Sequence, residues 1–426
     1  MIDPKFIRDN AEKVRKYLKD RKNNWDIDKF LALDEERRKI IFEVEELKKS
    51  KNIASKKIGD LIKEKKDPAL AKDEVNKITA AIKELDEKVA SIEEEFRKML
   101  DFIPNILHES VPVGTSEKDN KEVKKWGEIP KFSFKPRDHV ELGEMTGILD
   151  LARAAKISGH GFPLYIGKGA KLERALINFM LDIHVNEHGY TEVFPPFIVN
   201  RESMRGTGQL PKFEEEMYKL DAEDSFLIPT AEVPLTNMLS GETIPEEALP
   251  KYFTAYTACF RREAGSYGKD TRGITRVHQF NKIELVKFVK PETSLVELEK
   301  LLADAEDILL RLELPYRVIE LCTADISFAA HKCYDIELWA PGTGRWLEVS
   351  SCSVFSDFQA RRANIKYQPA DRNERSRFLH TLNGSGVALA RLFIAIVENN
   401  QREDGSITIP GALVPYFGAS EIKNGL

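Results

Sequence analysis

Residues 27–101 carry an apolar repeat with alternating steps of three and four, and this repeat constrains the fold of the chain more than any other feature. Such spacing is the a/d seam of a coiled coil. Its clearer half lies at Val75, Ile78, Ile82, Leu85, Val89, Ile92 and Phe96, and its looser half at Ile40, Val44, Leu47, Ala54, Ile58 and Leu61. Pro68 separates the two halves. We therefore predict two antiparallel helices that form an arm about 50 Å long.

The half of the first arm helix that lies nearest the turn is strongly basic. Its lysines face only two acids, Asp60 and Glu64, and they are Lys48, Lys49, Lys51, Lys56, Lys57, Lys63, Lys65 and Lys66. One interpretation is a solvated coiled-coil surface, and the other is a surface that contacts nucleic-acid phosphates. Because the formal net charge of the whole chain is -5, a nucleic-acid site has to be a local patch of this kind.

The length and the cysteine content limit the class of protein. With 426 residues, 42% of them hydrophobic, the chain can form a large core and two or three domains. None of the four cysteines belongs to a Cys-x-x-Cys pair, which argues against a zinc knuckle or a redox motif. Residues 1–22 contain no apolar signal region, and no apolar run has membrane-spanning length. We expect a cytoplasmic protein without a membrane partner.

The composition and the hydrophobic pattern of the sequence change after the arm. A stretch rich in proline and polar residues is followed by helical segments that alternate with β-branched and aromatic runs, among them Lys251–Phe260, Val277–Val289 and Trp346–Val354. This pattern predicts an α+β domain with an antiparallel sheet flanked by helices. We divide the chain into an N-terminal domain (1–103, with the arm at about 27–101), a linker (104–136) and a C-terminal domain (137–426).

The predicted helix from Ala170 to about Glu187 is apolar around most of its circumference. Leu172, Leu176, Phe179 and other apolar side chains occupy more than one of its faces. Such a helix is usually buried on more than one side. Burial in the core of a single chain and burial in a subunit interface both remain open.

A hairpin with a glycine-rich, cationic loop is the candidate nucleotide site, because the chain has neither a Walker A motif nor a Gly-x-Gly-x-x-Gly helix start. Arg261 and Glu263, two apart on a predicted strand, would share a face and contact a phosphate and an exocyclic amine. Phe280 would stack on a base. A surface hairpin with charge pairs is the alternative. The loop residues that suit a triphosphate are Gly265, Gly268, Lys269, Arg272, Gly273 and Arg276.

Three ordered motifs resemble those of class II aminoacyl-tRNA synthetases. Phe260-Arg261-x-Glu263 resembles motif 2, the segment from Gly384 to Arg391 that leads into an apolar helix resembles motif 3, and the helix that ends at 190–196 resembles motif 1. Further markers resemble seryl-tRNA synthetases over essentially the whole chain. They are Thr230-Ala231-Glu232, Glu348-Val-Ser-Ser351-Cys-Ser, Phe358-Gln-Ala-Arg361-Arg362 and the N-terminal arm.

The resemblance implies ATP-dependent activation of L-serine to seryl-adenylate and its transfer to tRNA(Ser), and to tRNA(Sec) where one exists. It implies that Arg261, Arg391 and Glu348 are catalytic. The implied ATP-binding residues are Arg261, Glu263, Arg276, Val277, Phe280, Glu348, Val349, Ser350, Ser351 and Arg391. The implied serine-binding residues are Thr230, Ala231, Glu232, Arg261, Glu284, Asn383 and Ser385. The lysines implied to contact tRNA are Lys48, Lys49, Lys56, Lys57, Lys63 and Lys65.

The same resemblance implies Mg²⁺ at Glu348 and Ser351, no zinc, and a homodimer that pairs through motif 1. His331 and Cys333 lack further ligands at zinc spacing, and His278 is interpreted as structural. For Arg361 and Arg362, a helix-surface role and contact with the acceptor end of a tRNA both stay open. Two other functions are weighed against the synthetase. They are a ligase that loads an activated amino acid onto a carrier protein, which the basic arm disfavours, and an RNA-binding scaffold without catalysis.

Overall fold

A computed structural model describes residues 1–264 and 272–425 of the chain. The chain divides into two compact units, one of which is Ile2–Ile103, while the other contains Met1 and the residues from Pro104 onward. The predicted loop residues Gly265, Gly268 and Lys269 lie outside the described residues. In the part of the chain that is described, no helix is both long and apolar enough to cross a membrane.

The smaller unit contains the predicted helical arm. Its helices are α1 (Pro4–Asp9), α2 (Ala11–Asp20), α3 (Ile27–Lys63) and α4 (Ala69–Phe102). Cross-helix ion pairs join Arg37 to Glu93 at 2.6 Å and Lys48 to Asp86 at 3.5 Å, so α3 and α4 run antiparallel as predicted. Every predicted seam residue on both helices is buried or half-buried. At 1.5 Å per residue, α3 extends ~55 Å.

The lysines near the turn between α3 and α4 differ in their surroundings. Lys51 takes a seam position between Leu47 and Ala54 and is half-buried, so it belongs to the packed face of the arm. Lys48 and Lys49 pair with Asp86 and Glu46. No salt bridge within residues 1–264 and 272–425 includes the four remaining lysines predicted to contact tRNA, which are exposed: Lys56, Lys57, Lys63 and Lys65.

The larger unit is a mixed α+β structure. Its helices are α5 (His139–Thr146), α6 (Leu151–Ser158), α7 (Lys168–Asn186), α8 (Arg201–Thr207), α9 (Glu232–Asn237), α10 (Ser294–Arg311), α11 (Phe358–Ala363), α12 (Leu389–Asn399) and α13 (Val414–Phe417). Its strands are β1 (Lys121–Trp126), β2 (Thr191–Glu192), β3 (Ile198–Asn200), β4 (Lys219–Leu220), β5 (Ser225–Leu227), β6 (Thr243–Pro245), β7 (Lys251–Phe260), β8 (Gln279–Val289), β9 (Tyr316–Glu320), β10 (Lys332–Ala340), β11 (Arg345–Val354), β12 (Lys366–Gln368), β13 (Arg377–Phe378), β14 (His380–Ala388), β15 (Ile407–Thr408) and β16 (Glu421–Ile422).

Eight of these strands form one sheet in the order β1-β9-β10-β11-β14-β8-β7-β2. Every neighbouring pair is antiparallel except β2 with β7. The predicted antiparallel sheet flanked by helices is therefore confirmed. Strand β1 lies within residues 104–136, so the stretch that the sequence presents as a linker supplies an edge strand of this sheet. Its side chains are all exposed, and this explains why it lacks the apolar pattern of a core strand.

Helices α7, α10 and α12 pack on the sheet and form the core. The apolar face of α7, including Leu172, Leu176 and Met180, is buried within this single chain. Ile177, Leu181 and Val185 of the same helix are half-buried. Core burial therefore accounts for the main apolar face of α7 and leaves a second face that is only partly covered.

Candidate active site

A cleft of about 540 Å³ lies over strands β8, β11 and β14 of the large sheet. The residues of the predicted site that line this cleft are Thr230, Glu232, Arg261, Glu263, Arg276, Val277, Phe280, Glu284, Glu348, Val349, Ser351, Asn383, Ser385 and Arg391. Ala231 and Ser350 do not line it. Ala231 is fully buried behind the wall, and the Ser350 hydroxyl donates to the Ser385 carbonyl at 2.5 Å.

Strand register brings the predicted serine-binding groups together. Glu284 of β8 lies directly opposite Ser385 of β14, although the two are far apart in the sequence. Side chains alternate between the faces of a strand, so Phe280, Lys282 and Glu284 share the cleft side of β8. The floor of the cleft is therefore polar at Glu284 and aromatic at Phe280.

Arg261 and Glu263 both reach the cleft, but not by the alternation that the sequence argument assumed. Strand β7 ends at Phe260, and Glu263 adopts a left-handed backbone conformation with φ +50°. Arg261 Nε donates to the Pro229 carbonyl at 3.3 Å, and its guanidinium lies 5.2 Å from the centre of the Phe280 ring. An irregular turn, rather than a strand, therefore places these two side chains.

Arg391, at the start of α12, is oriented by backbone acceptors. Its Nη1 donates to the Glu348 carbonyl at 2.6 Å, and its Nε donates to the Thr275 carbonyl at 3.2 Å. Arg276, from the other side of the cleft, contacts Glu263 at 3.4 Å. Three arginines therefore line the same cleft, a set that suits a polyanionic ligand.

A buried ion pair lies at the floor of the cleft. Lys282 Nζ lies 2.5 Å from Glu284 Oε2 and donates to the Thr230 hydroxyl at 2.8 Å. That hydroxyl in turn donates to Glu284 Oε2 at 2.9 Å. Lys282 is not among the site residues predicted from the sequence. Its position two residues before Glu284 on a predicted strand could have indicated it, because residues two apart share a face.

Glu232, the first residue of α9, is a buried carboxylate on another side of the same cleft. Its oxygens accept from Gln359 Nε2 at 2.6 Å and from Gln209 Nε2 at 3.5 Å. Burial, followed by the nearby Glu284 carboxylate, raises the pKa of Glu232 to about 7. Gln209 and Gln359 were also missing from the sequence-based site, and no spacing in the sequence indicates either of them.

A β-bulge explains how Glu348 and Ser351, three residues apart, both line the cleft. The pairing of β10 with β11 shifts at Val349, and the extra residue turns Glu348 toward the side that Ser351 occupies. Asp335 lies opposite Ser351 and accepts a hydrogen bond from it, while burial and the Glu348 carboxylate raise the pKa of Asp335 well above its usual range. Carboxylate and hydroxyl oxygens therefore converge here.

The remaining predicted residues have structural surroundings. The Arg362 side chain is buried, and its Nη1 donates to the Arg205 carbonyl at 3.3 Å, so it is not a helix-surface charge. Arg361 pairs with Asp357 at 2.7 Å. His278 Nδ1 donates to the Arg261 carbonyl at 3.0 Å, a contact that holds the chain after β7. Among the described residues, no group of three or more His, Cys, Asp or Glu side chains could hold a metal ion.

Family models match both parts of the chain. Residues 213–400 match the class II tRNA synthetase core domain (G, H, P, S and T), and residues 1–107 match the seryl-tRNA synthetase N-terminal domain. The sheet, the cleft and the core match together define a class II aminoacyl-tRNA synthetase, which is a ligase. A serine–tRNA ligase from Syntrophobacter fumaroxidans is 55% identical over 421 residues, which are 99% of this chain and 99% of that protein. The chain belongs to the seryl-tRNA synthetase family.

Solved structures agree with this assignment. The seryl-tRNA synthetase from Pyrococcus horikoshii, complexed with ATP, is 39% identical and superposes with a TM-score of 0.93 over 100% of both chains. The cytoplasmic serine–tRNA ligase from Naegleria fowleri, in complex with AMP, is 29% identical, with a TM-score of 0.89 over 100% of this chain and 99% of that one. The arm and the catalytic fold are thus both shared with synthetases that bind adenine nucleotides.

Proposed function

We propose that the cleft activates L-serine with ATP to give seryl-adenylate, and that the enzyme then transfers the seryl group to tRNA(Ser). The observation that carries this proposal is the buried Glu284–Lys282–Thr230 cluster, which lies opposite Ser385 and in the same cleft as Arg261, Arg276 and Arg391. The buried polar cluster with Ser385 suits a small polar amino acid, and the three arginines suit a triphosphate. The names and ligands of the solved relatives support both halves of the proposal.

The charge distribution of the cleft fits an in-line displacement. The serine carboxylate attacks the α-phosphorus of ATP, and pyrophosphate leaves. Arg261 binds the serine carboxylate and the α-phosphate, and Arg276 and Arg391 bind the outer phosphates. Because no side chain has to act as a covalent nucleophile, the residues work by positioning the reactants and stabilising charge. A hydroxyl of the terminal tRNA ribose then attacks the adenylate carbonyl, and AMP leaves.

The rest of the nucleotide and the serine have their own partners in the proposal. Glu263 accepts from the adenine amino group, and Phe280 stacks on the ring; Val277 and Val349 complete the nucleotide wall, with Ser350 behind it. Thr230 and Glu232 bind the serine ammonium, with Ala231 as the backbone link between them. The serine hydroxyl is bound by Glu284 and Ser385, and Asn383 lines that pocket.

The oxygen donors in the middle of β11 fit Mg²⁺. Mg²⁺ usually binds one or two carboxylates together with substrate phosphates and water, rather than a cage made only of protein ligands. Glu348 and Ser351 would hold it, with Asp335 hydrogen-bonded to Ser351 behind them. When bound, the ion would neutralise charge on the ATP phosphates.

Pyrophosphate exchange tests the activation step directly. We expect ATP–pyrophosphate exchange to depend on serine alone when all twenty amino acids are offered without tRNA. When alanine binds, the hydrogen bonds that Glu284 and Ser385 are proposed to form with the serine hydroxyl are not made, and such a site can reject the analogue lacking a hydroxyl by roughly 10⁴-fold. If another amino acid drives the exchange, the assignment of serine as the substrate is wrong. If the folded protein gives no exchange at all, the proposed activation step is wrong.

The exposed lysines of the arm are the proposed contacts with the tRNA backbone. Neutralising Lys56, Lys57, Lys63 and Lys65 together should weaken tRNA binding and lower its salt dependence, by about one in the log–log slope for each phosphate that is no longer neutralised. Serine-dependent pyrophosphate exchange should not change, because it needs no tRNA. Binding measured at several salt concentrations gives the slope.

A matched control uses four lysines at the base of the same arm, each already paired with a carboxylate: Lys29, Lys39, Lys88 and Lys98. Their neutralisation changes the net charge equally but removes no unpaired cation, so the salt slope should stay near that of the wild type. Equal salt slopes in both variants would mean that Lys56, Lys57, Lys63 and Lys65 form a solvated surface and do not contact tRNA phosphates. Lys48 and Lys49 would add to the site by exchanging their acidic partners for phosphates.

Three further proposals concern assembly and location. We infer a homodimer that uses the partly covered face of α7, which carries Leu181 and Val185, together with the exposed Phe194 of the segment that resembles motif 1. The four cysteines are free and buried, which is typical of the reducing cytoplasm. Serylation of tRNA(Sec), where the source organism has one, would follow if the arm recognises tRNA shape rather than the anticodon.

A further inference from the structure

Gln359 is a fully buried residue of α11 whose side chain contacts the cleft wall from behind. Its Nε2 donates to Glu232 Oε1 at 2.6 Å and to the Thr207 carbonyl at 3.3 Å. Its Oε1 accepts from the Thr381 hydroxyl at 2.6 Å. With an exposure of 0%, this carboxamide has all its contacts inside the protein.

The orientation of this carboxamide follows from its partners. The Thr207 carbonyl can only accept, so the nitrogen of Gln359 has to face Thr207 and Glu232. The oxygen then faces Thr381, whose hydroxyl can donate. Gln359 therefore offers Glu232 an N–H and never a lone pair, and this contact favours the ionised form of the Glu232 carboxyl.

The two oxygens of Glu232 have different surroundings. Oε1 is fixed by the short contact with Gln359, whereas among residues 1–264 and 272–425 the sole hydrogen-bond partner of Oε2 is Gln209, at 3.5 Å, a residue that itself lines the cleft. We propose that Gln359 is a positioning residue for amino-acid binding, which holds Glu232 by one oxygen so that the other receives the substrate ammonium. This inference rests on the proposed function, in which Glu232 binds the serine amino group.

Charges around Glu232 indicate why such a partner matters. Burial and the Glu284 carboxylate of β8 raise the pKa of Glu232 to about 7, whereas the Gln359 hydrogen bond, Lys282 and Arg261 lower it. An ammonium needs the ionised carboxylate. If the Gln359 donor is removed, the pKa of Glu232 rises, and a smaller fraction of the enzyme is ready to bind serine at neutral pH.

The test replaces Gln359 with methionine, which has similar length and no donor. We expect the serine KM in pyrophosphate exchange to rise about 10-fold near pH 7, while the ATP KM stays within about twofold, because the variant lacks one hydrogen bond to a charged group. The wild-type kcat/KM for serine should increase with pH through about 7 as Glu232 ionises. In the variant this midpoint should move upward by about one pH unit.

Two further variants cover the case in which Gln359→Met does not fold. Gln359→Glu keeps the shape but places a second carboxyl against Glu232, so the two must share a proton and the midpoint should move up further. Thr381→Val removes only the hydroxyl behind the amide and should act in the same direction with a smaller effect. Melting temperatures without ligands identify the variants that stay folded at the assay temperature.

Glu232→Gln, measured beside these variants, tests the role of Glu232 in serine binding separately from the role of Gln359 in positioning Glu232. An unchanged serine KM in Glu232→Gln overturns the role of Glu232 and the inference with it. A raised KM in Glu232→Gln beside an unchanged KM in Gln359→Met overturns the inference alone. A lower kcat in folded Gln359→Met with no change in serine KM or midpoint also overturns it, because that result indicates structural support only.

Discussion

Replacing Glu284 with alanine should lower kcat/KM for serine in pyrophosphate exchange by about 10³-fold or more, while kcat/KM for alanine falls much less. In the proposed complex the Glu284 carboxylate accepts a hydrogen bond from the serine hydroxyl at the floor of the cleft. Glu284 is only 1% exposed, so the substitution leaves that hydroxyl at a buried position that has lost its acceptor. Alanine has no hydroxyl to leave unpaired. The ratio of serine to alanine activation should therefore collapse.

The same substitution also affects the fold, and the experiment has to separate the two effects. Lys282 loses its carboxylate partner at 2.5 Å and, within the described part of the chain, keeps the Thr230 hydroxyl as its hydrogen-bond partner. Breaking a buried pair from one side typically costs about 3–5 kcal/mol of stability. Activity is therefore compared at a temperature where a ligand-free melting curve shows Glu284→Ala to be folded.

A paired variant provides the control. Glu284→Gln keeps the shape and an acceptor oxygen, so it should retain more serine activation than Glu284→Ala. If both variants keep the wild-type preference for serine over alanine, Glu284 does not read the hydroxyl. If serine and alanine activation fall together, the cause is a damaged cleft rather than the absence of one hydrogen bond to the serine hydroxyl.

The fold was predictable where one periodicity covers a whole element. The three-and-four repeat determines α3 and α4 because a coiled coil needs no distant partner to define its buried face. The β-branched runs likewise locate β7, β8 and β11. The order of strands in the sheet was not predictable, because pairing such as that of β14 with β8 depends on contacts between distant segments. Strand β1 was missed because all its side chains are exposed.

The residues of the candidate site likewise divide into those that could be predicted from the sequence and those that could not. Residues inside a motif, such as Arg261 and Arg391, could be proposed from the sequence because a short continuous segment carries the resemblance to class II synthetases. Lys282 was visible in principle from strand alternation. Gln359 and the bulge at Val349 were not, since each matters only through a partner that folding brings near. Ala231 and Ser350 belong to motifs as well, yet neither side chain lines the cleft, because membership of a motif does not determine where a side chain points.

Arg261 is expected to give the other large effect, even when the change keeps its charge. Arg261→Lys should lower kcat/KM for serine-dependent exchange by about 10³-fold. Arginine presents a rigid planar fork that can contact a carboxylate and a phosphate together, and its plane can stack on an aromatic ring, whereas lysine is a point charge on a flexible chain. The Phe280 ring 5.2 Å away and the Pro229 carbonyl at 3.3 Å hold that plane in place.

The magnitude follows from the two groups that Arg261 is proposed to bind at the reacting centre, the serine carboxylate and the α-phosphate. Removing one donor to a developing oxyanion typically costs about 10²–10³-fold in rate. Because Arg261 is proposed to touch both reactants, the decrease should appear in kcat as well as in the KM for serine. A change confined to the serine KM would mean that Arg261 binds the amino acid but does not stabilise charge at the α-phosphate.

The neighbouring arginine is the matched control, because Arg262 does not line the cleft. Its backbone N–H donates to the Glu216 carbonyl at 2.9 Å, and this contact survives replacement of the side chain. Arg262→Lys should therefore keep pyrophosphate exchange within about twofold of the wild type, as surface substitutions usually do. Equal losses of activity in the two variants would mean that the exchange rate responds to any change in the turn after β7, and Arg261 would then have no special part in catalysis.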